Sequence, residues 1–124
     1  MTPVMQSKLY SVDGIHAGNC FAACLASLLN IPLWMVPPFE DMFHRDNWRS
    51  RVNEWLLEMY RMELARADGD CMDDLVDYYI ASGASERGVM HSVIYRKGVM
   101  IHDPHPSGTG IGSVVWSQWL EARP

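Results

Sequence analysis

Three residues of this chain are of the types that in combination can break or transfer an acyl bond: Cys20 in GNCFAACLASLL, His91 in VMHSVIY and Asp103 in VMIHDPHPSG. A thiol attacks a carbonyl as the thiolate, and a helix N-terminus or an imidazolium partner lowers its pKa. The nucleophile also needs a base, and the base needs a third group that fixes its tautomer. The oxygen of a tetrahedral intermediate needs donors, one of them the N–H of the nucleophile itself. Gln6 is the only glutamine ahead of Cys20 and serves as the second donor if the N-terminal arm folds across the helix start. Asn19 competes for that role, although as an N-cap its oxygen is engaged.

The other two cysteines are weaker candidates. Cys24 lies one turn further along the same helix face, where a thiol is buried and inert. Cys71 is flanked by Asp70, Asp73 and Asp74, which raise a thiol pKa instead of lowering it.

The elements that must position these residues follow from caps, breakers and periodicity. Asn19 caps a helix that starts at Cys20 and ends before Ile31-Pro32, because a residue preceding proline is driven out of the α region. The apolar segment 33–39 is broken by Pro37-Pro38 and reads as a packed loop. Asp46 caps a second helix with Trp48, Val52, Trp55, Leu56, Met59 and Met62 on one stripe, running to about Ala65. Asp70 caps a third, with Met72, Leu75, Val76, Tyr79 and Ile80 on its stripe and Gly83 as its stop.

From Gly88 the period changes. Residues 89–95 and 99–103 read as strands joined by Arg96-Lys97-Gly98, a three-residue loop whose glycine takes the left-handed position. That register sets His91 opposite Asp103, on one face and in reach. A two-residue turn would set Pro104 opposite His91 instead. SVVWSQWLEARP holds one more strand or a short helix, and the first fifteen residues form an irregular arm with a turn at Val12-Asp13-Gly14. The expectation is an α+β fold in a single domain spanning 1–124, a helical part packed on a small antiparallel sheet.

Composition narrows the partners. A net charge of −5 over 124 residues lacks the basic footprint of a nucleic-acid binder. No run is apolar enough for a membrane span or a secretory leader. Three cysteines, an odd number without framework spacing, fit a reducing cytoplasm. No cofactor or metal is expected. His102 and Asp103 point to opposite faces of a strand and cannot readily hold one ion, and Ser107-Gly108-Thr109-Gly110 lacks the lysine and helix of a phosphate loop.

The pattern Gln6, then GNCFAACLASLL, then HSVIY and IHDPHPSGTG resembles the papain-like cysteine peptidase superfamily. It is most similar to bacteriocin-leader peptidase domains and to small phage and bacterial proteins with GNCF and HDPHPSG motifs. The likeness covers about the first thirty residues and residues 85–111, and thirteen residues separate Gln6 from Cys20, a longer spacing than in the leader peptidases. The resemblance implies a papain-like fold, with Cys20 as nucleophile, His91 as base, Asp103 as its orienting group and Gln6 as oxyanion donor. It implies a thiol hydrolase acting on an amide, peptide or isopeptide in a peptide or protein substrate. Two alternatives stand beside it: an acyl transferase using the same triad, and an inactive papain-like module that grips a partner. The plainer readings of the single residues are a packed core thiol for Cys20, a satisfied sheet histidine for His91 and a turn cap before Pro104 for Asp103.

Overall fold

A computed structural model describes residues 1–9, 18–42 and 47–123. The turn expected at Val12-Asp13-Gly14 and the Asp46 cap lie outside these residues.

Helix α1, Cys20–Leu29, is made of small and apolar residues and buries everything from Phe21 to Ser27. Asn30 closes it in the left-handed conformation, its N–H reaching the carbonyls of Ala26 and Ser27. Pro37-Pro38 leads into a 3-10 turn, Phe39–Met42, in which Phe39 and Glu40 are both buried.

Helix α2, Trp48–Tyr60, stops about five residues earlier than expected, at a left-handed Arg61. The chain reverses there and Met62–Asp68 forms strand β1. The outer backbone of β1 is satisfied from α2: Asn53 Oδ1 accepts the Leu64 N–H and Arg49 donates to the Leu64 carbonyl. Val52 and Leu56 are the buried residues of α2 and Trp55 packs partly against the core, whereas Met59 is exposed.

The expected third helix is absent. Asp70 accepts the Cys71 N–H and Asp73 accepts the Leu75 N–H. These local bonds offer the backbone an alternative to a helical ladder. Met72 and Leu75, two residues of the expected stripe, are 88% and 94% exposed. Tyr79 and Ile80 of that stripe belong to strand β2, Tyr78–Ala84, and Val76 precedes it.

Strand β3, Met90–Arg96, and strand β4, Val99–His102, form a hairpin where the sequence places one, with a different turn and register. Strand β5, Trp116–Ala122, resolves the C-terminal alternatives in favour of a strand, and it inserts between β1 and β2. The sheet order is β1-β5-β2-β3-β4, with every pairing antiparallel.

The fold is therefore α+β, with the cysteine-bearing helix packed on the sheet. Alternation along the strands makes two cores. Ile80 and Ile94 meet α1, Val52, Leu56 and Phe39. Tyr79, Ala81 and Val93 turn the other way, against Ile111, Val114 and Trp119. Among the described residues no helix is long and apolar enough to cross a membrane.

Candidate active site

The hairpin that carries His91 and Asp103 is not the one the sequence suggests. Only Lys97 and Gly98 lie between β3 and β4, and both are left-handed, with φ of 50° and 78°. A two-residue turn with positive φ at both positions matches the twist of the flanking strands. It pairs Arg96 with Val99 and Tyr95 with Met100. Continued unchanged, that register would send Asp103 to the face away from His91. It does not continue, because Ile94 pairs with His102 and Ile101 is left over as a bulge. One extra residue flips the face of everything after it. Carried one residue beyond β4, the new register sets Asp103 opposite Val93, diagonal to His91 and on its face.

The result is a short contact. His91 Nε2 lies 2.6 Å from Asp103 Oδ1, and the two side chains are 4% and 2% exposed. Asp103 is held from two further directions, Oδ1 accepting the His105 N–H at 2.9 Å and Oδ2 the Gly110 N–H at 2.8 Å. Burial alone raises a carboxyl pKa, but the hydrogen bonds from His91, His105 and Gly110 outweigh it and hold Asp103 below its ordinary range. An ionised Asp103 that accepts from Nε2–H fixes the tautomer and leaves Nδ1 as the basic nitrogen. The ring of His105 stands edge-on to His91 at 5.9 Å.

Cys20 is the first residue of α1 and is partly buried. The backbone N–H and hydroxyl of Ser92, together with the Phe21 N–H, face its thiol and favour the thiolate. They do not prevail. Burial first, and then the Glu40 carboxylate, push the Cys20 pKa above its ordinary value. Against the expectation of a lowered pKa, burial outweighs these donors. Cys24 is fully buried with its pKa pushed further up, and it feels the charges of Cys20, Asp103 and Glu40. The Cys20 thiol is thus tied to β3 at Ser92, the residue that follows His91, and alternation along the strand turns the Ser92 and His91 side chains to opposite faces. Ser92, whose hydroxyl also meets Ser82 Oγ at 2.8 Å, shares with Ile94 the face of β3 that meets the helix. Among the described residues no hydrogen bond joins Cys20 to His91.

The arm does fold across the helix start. Asn19 Oδ1 accepts the N–H groups of Ser7 and Lys8, and its amide donates to Ser7 Oγ. Its oxygen is engaged as expected, but by the arm, and α1 has no side-chain cap from Asn19. Gln6 is brought alongside: Gln6 Nε2 and Asn19 N–H both donate to the Lys8 carbonyl. The Gln6 amide is thus near the site and occupied, and its Oε1 is buried without a partner. No hydrogen bond among the described residues uses the Cys20 N–H.

Glu40 is the member that sequence reasoning missed. Its Oε1 accepts the Ala22 N–H at 2.6 Å across eighteen residues of chain. A lone glutamate after Pro-Pro-Phe carries no spacing signal for such a contact. His102, by contrast, faces away from the pair and binds the Val4 carbonyl through Nε2.

Compared with protein-family models, curated proteins and solved structures, the chain matches none.

Proposed function

We propose that this protein is a papain-like thiol hydrolase that cleaves an amide, peptide or isopeptide bond in a peptide or protein, in the cytoplasm. The observation that carries the reading is the buried His91–Asp103 pair, whose free nitrogen belongs to the residue beside Ser92, the contact of the Cys20 thiol. In this mechanism His91 Nδ1 takes the Cys20 proton as Sγ attacks the carbonyl carbon. The unused Cys20 N–H receives the oxyanion. Gln6 supplies the second donor by exchanging its bond to the Lys8 carbonyl for the substrate oxygen. His91 then returns the proton to the leaving amine, and water, deprotonated by His91, releases the acyl group from sulfur. Because the resting group is a thiol, proton transfer accompanies attack instead of preceding it.

The test is trapping by a panel of peptidyl vinyl sulfones, read by intact mass and peptide mapping. The expected result is one adduct on Cys20, lost in His91→Ala. An absence of adducts on a folded chain overturns the reading. The raised Cys20 pKa and the missing Cys20–His91 hydrogen bond favour a second reading, a papain-like module that binds a partner without turning it over. An acyl transferase would give the same adduct and differ by accepting an amine in place of water.

A further inference from the structure

The first turn of a helix leaves N–H groups that need acceptors. In α1 the natural provider, Asn19, spends its oxygen on the arm, and the first turn holds no acidic residue. Glu40 reaches in from outside and accepts the Ala22 N–H. It is 7% exposed, and its other oxygen, Oε2, is fully buried with no partner among the described residues. It cannot easily swing away, because the preceding Phe39 is 2% exposed and wedged edge-on against Trp55 at 5.8 Å.

We propose that Glu40 is a positioning residue for Cys20, whose carboxylate fixes the first turn of α1 and, by occupying its positive end, keeps the neighbouring sulfur a thiol until substrate is bound. The proposal rests on the reading of Cys20 as nucleophile and adds the control of that nucleophile. A helix N-terminus stabilises one negative charge nearby. Burial raises the Glu40 carboxyl overall; once Glu40 is ionised, a thiolate on Cys20 is a second anion in the same place, and the two ionisations oppose each other. Cys20 and Cys24 face Glu40 from α1, Lys8 from the arm, and Asp41 from its own turn. Burial, then Asp41, push the Glu40 carboxyl up, while the Ala22 N–H and Lys8 draw it down. Lys8 is exposed, so its charge is screened and does not neutralise the site. A guarded thiol resists adventitious alkylation and oxidation yet still reacts once His91 takes its proton.

The experiment compares the pH dependence of Cys20 alkylation by iodoacetamide in the wild type and in Glu40→Gln, followed by peptide mapping. Glutamine retains an oxygen for the Ala22 N–H and removes the charge. The expected result is a titration midpoint shifted to lower pH and a severalfold faster reaction at neutral pH. An unchanged midpoint in a folded Glu40→Gln protein overturns the proposal. The wild-type chain answers without substitution as well: the Glu40 carboxyl ¹³C signal must move when Cys20 ionises, and a signal blind to that step also overturns it. Both readouts follow the thiol and not turnover, so a chain that hydrolyses nothing still decides the role of Glu40.

Discussion

His91 meets Asp103 because Ile101 is one residue too many in β4. The turn at Lys97-Gly98 alone would put the two side chains on opposite faces of the sheet. The bulge returns Asp103 to the face of His91, where three donors converge on its carboxylate. Ile101 is itself 46% exposed. It acts by its presence in the chain and not by what its side chain touches.

Deleting Ile101 is therefore expected to separate the pair. A buried charged group that loses its partner costs about 3 kcal/mol, so the deletion should lower Tm by several degrees and remove the low-field Nε2–H resonance of His91. Ile101→Thr keeps the bulge and should change stability by less than about 1 kcal/mol. Equal melting of the two variants would contradict the register argument.

The Asp103 carboxyl sits below its ordinary pKa, so its ionised form is favoured by folding. Its contribution is complete above the unfolded value of about 3.9 and is lost as pH falls through the lower folded value. Thermal melts should show the wild type losing stability as pH drops below about 4. Asp103→Asn should melt lower at neutral pH and lose less on acidification. Parallel acid limbs for the two proteins would refute this.

Gly83 pairs with His91 across β2 and β3, and a Cβ there runs into the backbone carbonyl of Ser113. Backbone cannot rotate away as a flexible side chain can, so Gly83→Ala is expected to cost about 2–3 kcal/mol, read by denaturant unfolding. A neutral Gly83→Ala would mean that the 113 loop yields without strain.

The arm is tied to the helix start by the Asn19 carboxamide and by the Asn19 N–H, which donates to the Lys8 carbonyl. Asn19→Ala removes the acceptor of the Ser7 and Lys8 N–H groups and should cost about 1–2 kcal/mol. Limited proteolysis ought to cut the variant ahead of Cys20 faster than the wild type. Unchanged cleavage would show that the backbone bonds of Thr2, Val4, Gln6 and Asn19 suffice to hold the arm.

The chemistry-bearing residues of this site were legible as residue types: a cysteine after an asparagine at a helix start, a histidine on one strand and an aspartate just past the end of the next. The α+β class followed from the change of period at Gly88. What misled was local chemistry that serves two structures. Asp70 and Asp73 suit a helix N-terminus and equally an Asx turn, and the chain uses them for turns. Met62 continues the apolar stripe of α2, but the left-handed Arg61 intervenes and turns it into the start of β1. The Lys97-Gly98 turn and the Ile101 bulge deviate from the expected loop in two ways whose effects on the face of Asp103 cancel. Glu40 was illegible, since only the folded chain brings it to Ala22.

The most direct measurement of the account is the rate of Cys20 alkylation at neutral pH in the wild type, His91→Ala and His102→Ala. Cys24 in each protein serves as an internal standard for a buried thiol. The account predicts that Cys20 reacts faster than Cys24, that His91→Ala slows Cys20 markedly, and that His102→Ala, whose imidazole binds Val4, leaves it unchanged. Equal Cys20 rates in all three proteins would contradict the assignment of His91 as the base of a Cys20 nucleophile.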